Sequence, residues 1–299
     1  MDASVAVRSA TVRANGLQFG VLEAGSGPLA LCLHGFPDAA YTWRHMLPAL
    51  AGAGFHAVAP FMRGYAPTTV PTDGAYHLGA LAADAVALHE ALGGGGDAVL
   101  IGHDFGAETA YAAAAHAPGR WRRLVTLAVP PAALDPLLFS DYDQLRRFFY
   151  LFLFRDPAGI AEAVVAADGM AFIDRLWADW SPGYHPGGHL ARVKQSLRHP
   201  ANLSAAIGYY RVGAPGPPGE SQGVTRYAAE QEAAGRQAPQ PTLYLHGAND
   251  GCIAADLARR AVPLLAPSSR MIVIGDAGHF LHVEKPGEVN NHILAWVTS

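Results

Sequence analysis

The chain has 299 residues, of which 51% are hydrophobic and 15% charged, and its formal net charge is −4. This length and apolar content suffice for one large α/β domain or for a domain with an insertion. The small net charge, without long basic or acidic runs, argues against nucleic acid or an anionic membrane as the main partner.

Neither the first residues nor the cysteines indicate export. Residues 1–5 lack the basic region and apolar stretch of a secretory signal, and no apolar run is long enough to cross a bilayer. The two cysteines, Cys32 and Cys252, do not make a disulfide framework, and Cys32 lies in an apolar run that predicts a core position. We therefore expect a cytoplasmic protein.

The first 130 residues alternate between predicted strands and predicted helices. They open with a hairpin over residues 10–24 around Asn15-Gly16, which is a strong turn signal. Short apolar runs and apolar residues at helical spacing then predict strands at 29–33, 56–60, 98–101 and 124–129 and helices at 42–53, 78–92 and 107–116. This alternation is typical of a parallel sheet with helices on both faces.

The pattern changes after Pro130. Residues 131–230 carry little strand signal, are rich in aromatic residues, and are broken by proline and glycine at 181–183 and 214–219. This composition predicts an inserted helical cap.

The α/β pattern resumes with strands at 241–246 and 270–274 and ends with a helix at 286–297. We therefore predict two units. The core domain comprises residues 1–130 and 231–299, and the cap comprises residues 131–230.

One stretch between a strand and a helix carries the first chemical signal, Gly102-His103-Asp104-Phe105-Gly106. The pattern G-x-nucleophile-x-G at such a turn is the nucleophile elbow. Here the central side chain is a carboxylate. Asp104 alone is equally well explained as the N-cap of the helix that follows. Whether it is a nucleophile therefore depends on other stretches of the chain.

Two late strands each end near a further candidate, Asp250 after the first and His279 after the second. In open α/β sheets, ligands bind beyond the carboxyl ends of the strands. Asp104, Asp250 and His279 are therefore expected at one edge, in the chain order nucleophile, acid and histidine of an α/β-hydrolase.

Each of these assignments has a competitor. Asp250 is also placed to cap a helix that begins near Ala254, and Asp276 competes with it for the role of the acid. Asp276 lies in the turn that leads to His279, which favours Asp250. His282, three residues beyond His279, is expected to pack or to face water.

The stretch His34-Gly35-Phe36-Pro37 follows the third strand and lies beside the elbow. A loop at this place can present a backbone N–H to the reaction centre. We expect the N–H groups of Phe36 and Phe105 to form an oxyanion hole.

Together these stretches resemble α/β-hydrolases of the epoxide hydrolase type. The matching residues are His34-Gly35-Phe36-Pro37, Arg63-Gly64-Tyr65, the elbow, Asn249-Asp250 and Gly278-His279-Phe280. The resemblance spans nearly the whole chain. It implies an α/β-hydrolase fold, with a mostly parallel eight-stranded sheet, helices on both faces and an inserted helical cap.

The resemblance also implies two cap tyrosines that hold the epoxide oxygen. Tyr150 precedes a run similar to the family's Pro-Gly-x-Ala-Glu motif, with one alanine inserted. Tyr210 lies in Tyr209-Tyr210-Arg211, which matches an aromatic-Tyr-Arg motif. Tyr209 is then a wall residue, although the two positions are interchangeable at this stage.

The chain departs from the family at Phe105, where tryptophan is frequent, and in the loop after Gly64. Both departures leave the substrate open. Aromatic residues of the cap favour an apolar or aromatic epoxide, and the predicted substrate contacts are Phe36, Pro37, Phe105, Trp177, Tyr209 and Phe280.

A carboxylate nucleophile predicts attack on an sp³ carbon. The expected reaction opens an epoxide to a vicinal diol through an alkyl ester on Asp104, which is hydrolysed by water that His279 activates with Asp250 as its orienting acid. No metal or cofactor is needed, and the partners are a small substrate and water. The protein is expected to be a monomer or a homodimer.

Two other functions stay open. A haloalkane or haloacid dehalogenase uses the same two steps, but Phe105 offers no side-chain N–H to a halide, and Phe105 and Glu108 stand where fluoroacetate dehalogenases carry arginines. A non-catalytic ligand-binding protein on this fold is the alternative of another class.

Overall fold

The computed structural model describes residues 6–156, 159–211 and 226–299. Within these ranges eight strands form a single sheet in the order β1-β2-β4-β3-β5-β6-β7-β8. The strands are β1 (Arg8–Ala14), β2 (Leu17–Ala24), β3 (Leu29–Leu33), β4 (His56–Pro60), β5 (Ala98–His103), β6 (Trp121–Leu127), β7 (Thr242–Gly247) and β8 (Arg270–Ile274).

β2 pairs antiparallel with β1 and with β4, and every other neighbouring pair is parallel. The predicted mostly parallel eight-stranded sheet is therefore confirmed. The central strands β3, β5 and β7 are buried at every residue, because helices cover both faces of a parallel sheet. The hairpin turn is also as predicted, since Asn15 and Gly16 both have positive φ.

The helices lie between the strands and over both faces of the sheet. In chain order they are α1 (Met46–Gly52), α2 (Leu78–Ala91), α3 (Phe105–His116), α4 (Asp135–Leu138), α5 (Tyr142–Arg147), α6 (Phe149–Phe154), α7 (Ile160–Trp180), α8 (His189–Leu197), α9 (Pro200–Gly208), α10 (Ala228–Ala234), α11 (Ala255–Ala258), α12 (Leu281–Glu284) and α13 (Pro286–Val297). Short 3₁₀ turns are found at Ala40–Arg44, Pro118–Arg120, Ala132–Leu134 and Arg259–Leu264.

Several predicted elements differ from the structure in their bounds by one or two residues, and two differ by more. The helix predicted at 42–53 is a 3₁₀ turn followed by α1, because Pro48 has no N–H for the carbonyl of Arg44. β6 begins three residues earlier than predicted. Arg122 and Arg123 interrupt its apolar run, so the hydrophobic pattern does not reveal the first three residues of the strand.

The described residues between β6 and β7 form helices α4 to α10 and no strand. α7 is interrupted by positive φ values at Asp168, Gly169 and Met170. The proline- and glycine-rich stretch 214–219 and Pro157-Ala158 lie outside the described residues. The division of the chain into a core and a cap at 131–230 stays a prediction.

Arg63, from the Arg63-Gly64-Tyr65 stretch, has a structural position. It is buried and its Nε and Nη2 atoms donate to the two carboxylate oxygens of Asp84 on α2, each at 2.7 Å. This bidentate pair fixes the loop after β4 against the helix. The backbone carbonyl of Arg63 in turn accepts a hydrogen bond from Tyr209, so the loop also anchors the helical segment between β6 and β7.

Both cysteines are buried and unpaired, and Cys32 lies in the core as its apolar run predicts. None of the helices in the part of the chain that the structure describes combines the length and apolar character needed to cross a membrane.

Candidate active site

Asp104 stands at a sharp turn between β5 and α3. Its backbone has φ 54° and ψ −123°, which a residue with a Cβ adopts only rarely. Two glycines permit this turn. A Cβ on Gly102 would lie 2.0 Å from the carbonyl oxygen of Gly106, and one on Gly106 would lie 2.1 Å from that of Leu33. The strand, turn and helix of the elbow pattern are therefore all present, and the turn holds the Asp104 carboxylate at the end of the sheet.

The loop after β3 packs directly against this carboxylate. A Cβ on Gly35 would lie 2.1 Å from Asp104 Oδ1, and the backbone N–H of Phe36 donates to the same oxygen at 2.8 Å. Phe105 is the first residue of α3, so its N–H has no partner within the helix. Both backbone groups that the sequence suggests for an oxyanion hole are thus near Asp104.

His279 lies between two carboxylates. Its Nδ1–H donates to Asp250 Oδ2 at 3.0 Å, and its Nε2 lies 3.6 Å from Asp104 Oδ2. The other oxygen of Asp250 accepts hydrogen bonds from the backbone N–H groups of Cys252 and Ile253, at 2.7 and 2.9 Å. The structure therefore brings Asp104, Asp250 and His279 together, with Asp250 oriented by its own loop.

The charges of this group favour an imidazolium. Burial acts to lower the pKa of His279, but the Asp250 and Asp104 carboxylates outweigh it and raise that pKa to about 10. Burial acts to raise the pKa of Asp250, but the charge and hydrogen bond of His279 lower it below its ordinary value. With both carboxylates ionised, the proton stays on His279.

The helical segment between β6 and β7 holds both loops that carry this pair. The carbonyl oxygen of Trp180 accepts hydrogen bonds from the backbone N–H groups of His279, at 2.9 Å, and of Gly251, at 3.0 Å. The Trp180 ring lies 5.0 Å from the imidazole, edge to face. One residue at the end of α7 therefore sets the position of two functional side chains.

The competing residues lie elsewhere. Asp276 is exposed in the turn after β8, and no contact joins it to His279. Asp250 does not cap α11, whose N-cap is Ala254. His282 packs in the interior, with its Nε2 at 2.5 Å from the hydroxyl of Thr42.

A cavity of about 300 Å³ lies beside the Asp104 carboxylate. Its walls include Asp104, Phe105, Glu108, Tyr150, Tyr209 and Tyr210. The predicted contacts Phe105 and Tyr209 therefore face this space together with both predicted tyrosines.

The three tyrosines differ in the partners of their hydroxyl groups. The Tyr209 hydroxyl donates to the carbonyl of Arg63 at 2.7 Å, and that of Tyr150 lies 3.4 Å from Cys252 Sγ. The Tyr210 hydroxyl is buried without a partner among the described residues. Burial raises the pKa of both phenols well above 10. The nearby Cys252 and Asp104 add to this effect at Tyr150, and Asp104 adds to it at Tyr210. Both therefore stay protonated.

Four of the predicted substrate contacts do not line this cavity. Trp177 stacks on Phe280 with ring centroids 3.4 Å apart, and its indole N–H donates to the carbonyl of Pro37 at 2.9 Å. Trp177 thus contacts both Phe280 and Pro37, and none of these three residues lines the cavity beside Asp104; that they contact substrate stays a prediction. The Phe36 ring lies edge-on to Tyr210, so its contribution near Asp104 is its backbone N–H.

The wall also includes polar residues that were not predicted as contacts, among them Glu108 and Cys252. Glu108 follows Asp104 by one turn of α3, and residues four apart lie on the same side of a helix. Cys252 comes two residues after Asp250, and its side chain lies next to Tyr150. The spacing of Glu108 from Asp104 and of Cys252 from Asp250 is thus the signal that points to both.

The chain is similar to known α/β-hydrolases in sequence and in fold. A family model described as alpha/beta hydrolase fold matches residues 28–286. Epoxide hydrolase A of Mycobacterium tuberculosis is 30% identical to this chain, with 96% of both chains covered. An epoxide hydrolase of Caballeronia sordidicola is 28% identical over 99% of this chain and 95% of its own. The crystal structure of epoxide hydrolase A from Mycobacterium thermoresistibile has a TM-score of 0.81 at 26% identity, covering 98% of this chain and 99% of its own.

The contact between Gly35 and Asp104 predicts the effect of adding one methyl group. Gly35→Ala places a Cβ against the Asp104 carboxylate, and overpacking of this kind lowers the free energy of unfolding by about 1–3 kcal/mol. Gly52→Ala is the matched control, since nothing lies within 4 Å of its added Cβ. Urea unfolding of both variants measures the difference, and equal stability would contradict the packing described here.

Proposed function

Because the chain belongs to the α/β-hydrolase family and is an epoxide hydrolase-like enzyme, we propose that it opens an epoxide to a vicinal diol through a covalent ester on Asp104. The position of Asp104 carries this proposal. Its carboxylate lies at the elbow, accepts the N–H of Phe36, and lies 3.6 Å from His279 Nε2. A carboxylate held in this way suits attack on an sp³ carbon.

In the first step, a carboxylate oxygen of Asp104 attacks one epoxide carbon and the ring C–O bond breaks. The electron pair of that bond goes to the epoxide oxygen, which is a strongly basic leaving group still tethered to the substrate. It needs a proton donor within hydrogen-bond reach. The protonated phenols of Tyr150 and Tyr210, which line the same cavity, are suited to supply it.

The hydroxyl partners support Tyr210 over Tyr209 as the second donor. A hydroxyl that donates to the Arg63 carbonyl, as that of Tyr209 does, is not free to donate to substrate. The Tyr210 hydroxyl has no such partner among the described residues, and buried polar groups are rarely left unpaired without a functional reason. The rings of Tyr150 and Tyr210 lie 5.8 Å apart and perpendicular, so both phenols border the same space.

In the second step, water hydrolyses the ester. Alkylation neutralises Asp104 and so removes one of the two charges that hold the proton on His279. The proton passes to the phenolate left by the first step, and the neutral imidazole then accepts a proton from water. The water oxygen attacks the ester carbonyl. The N–H groups of Phe36 and Phe105 stabilise the oxyanion. Its collapse breaks the bond to the substrate oxygen, which takes the remaining proton of the attacking water, so the diol, the Asp104 carboxylate and the His279 imidazolium are restored.

The proposal extends to the substrate and to the cap. The substrate is a small apolar epoxide that fits the aromatic walls, and residues 131–230 form the cap over it. A dehalogenase shares both steps, but a halide leaves without a proton. The two protonated phenols therefore favour the epoxide.

Replacement of the proposed base should trap the intermediate. His279→Gln still permits alkylation but blocks hydrolysis, so an adduct of the mass of the substrate should accumulate on Asp104. Intact mass spectrometry followed by peptide mapping detects it. The double variant Asp104→Ala/His279→Gln is the control and should carry no adduct. An adduct on another residue, or a fully active His279→Gln enzyme, would remove His279 and Asp104 from these roles.

Removal of the proposed proton donors should slow ring opening selectively. We expect Tyr150→Phe and Tyr210→Phe each to lower the alkylation rate on an epoxide by roughly 10²-fold, the low end for a positioned acid. Any turnover of a haloalkane should survive. Rapid-mixing measurement of alkylation on both substrate types tests this.

Tyr111→Phe is the matched control for these variants, because the Tyr111 hydroxyl bonds to Thr126 in the core and its loss leaves the cavity beside Asp104 unchanged. Full epoxide activity in the Tyr150→Phe/Tyr210→Phe double variant would refute the assignment of the donors. Selective loss of halide turnover would instead favour a dehalogenase.

A further inference from the structure

Three buried side chains of types that can bind metal ions lie close together, next to His279. They are Asp38 from the loop after β3, His103 at the end of β5 and His282 on α12, and all three are buried. One ligand atom of each lies within 4.8 Å of the others, and the two imidazole rings are 4.5 Å apart. The mechanism proposed above uses none of these side chains.

Each of the three side chains has one buried atom without a hydrogen-bond partner among the described residues. These atoms are Asp38 Oδ2, His103 Nδ1 and His282 Nδ1. The other ring nitrogen of His103 lies 3.0 Å from the carbonyl oxygen of His279. Because a carbonyl oxygen only accepts, that nitrogen carries the proton, and Nδ1 of His103 presents a lone pair.

His282 contributes its Nδ1 atom through its contact with Thr42. Its Nε2 lies 2.5 Å from the Thr42 hydroxyl, and in the tautomer that carries the proton on Nε2 it donates to the Thr42 oxygen. Nδ1 of His282 is then left with a lone pair as well. Asp38 uses only one of its carboxylate oxygens in the fold. Its Oδ1 accepts from the backbone N–H of Ala39 and lies 2.8 Å from Nε2 of His189, which leaves Oδ2 facing the two imidazoles.

With His282 in this tautomer, three acceptors face one another, and none of them has a donor among the described residues. From this arrangement we propose that Asp38, His103 and His282 form a buried site for a divalent transition-metal ion of the zinc type. Two imidazole nitrogens and a carboxylate oxygen are ligands that Zn²⁺ prefers. A single water has only two protons for the three acceptors, whereas a cation satisfies all of them.

The surroundings of the site match those of bound metals. A histidine that ligates a metal usually donates its other N–H to a carbonyl, carboxylate or similar group, as His103 does to the carbonyl of His279. Ligands about 2.1 Å from a tetrahedral ion lie about 3.4 Å apart, and the three atoms lie within 4.8 Å of one another, so binding needs the side chains to close by up to about 1.4 Å. The ion would join the loop after β3, the elbow and α12. Its role is structural, since none of its ligands touches the reacting atoms.

Metal content after chelation tests the site directly. Because the ligands are buried, the ion must enter during folding, so the protein is produced in medium supplemented with Zn²⁺, dialysed against EDTA and measured by elemental mass spectrometry. We expect about one zinc per chain. His282→Gln and Asp38→Asn should each retain less than a tenth of that amount. His89→Gln is the matched control, because His89 is equally buried but bonds to Gly95 elsewhere in the fold.

A second measurement uses the wild-type protein alone, in case the variants fail to fold. X-ray absorption at the zinc edge should show two imidazole nitrogens at about 2.0–2.1 Å and an oxygen ligand. Zinc-free wild-type protein after this treatment would overturn the proposal in favour of a bridging water. Zinc retained equally in Asp38→Asn and His282→Gln, or a spectrum without imidazole ligands, would also overturn it as adventitious binding.

Discussion

The backbone of Asp104 is the constraint on which the rest of the site depends. A positive φ at a residue with a Cβ is unfavourable, and it persists here because three glycines allow close approach around it: Gly102 and Gly106 on the elbow and Gly35 on the neighbouring loop. The strained turn aims the carboxylate away from α3 and toward the N–H of Phe36 and the ring of His279. An aspartate in an ordinary N-cap conformation would instead bond its own helix. At this elbow no such capping bond forms.

The helical segment between β6 and β7 and the sheet act as one unit at the site. The carbonyl of Trp180 joins the loops of Asp250 and His279, while the same segment carries Tyr150 and Tyr210. Groups proposed to open the ring and groups proposed to hydrolyse the ester are therefore positioned by common contacts. A change in the packing of α7 would affect both steps, which distinguishes this arrangement from a lid that merely covers a finished site.

Local sequence patterns were sufficient for the sheet, for most helices and for the juxtaposition of Asp104, Asp250 and His279, because each of these residues follows a buried strand and parallel strands end at one edge. Patterns could not reveal contacts between distant segments. Trp177 and Phe280 stack on each other, and neither lines the cavity. Asp38, His103 and His282 lie close together in the fold, but their spacing in the sequence does not indicate it. The partners of the Tyr209 and Tyr210 hydroxyls likewise depend on how the helical segment docks on the core.

The central claim is that substrate becomes bonded to Asp104, and the origin of the oxygen atoms tests it most directly. A single turnover of an epoxide in water enriched in oxygen-18, with enzyme in excess, should place the label in the Asp104 carboxylate, since water attacks the ester carbonyl carbon. Mass spectrometry of the peptide containing Asp104 and of the product reads both positions. The account predicts labelled Asp104 and unlabelled diol. Labelled diol with unlabelled Asp104 would mean direct attack by water and would contradict it.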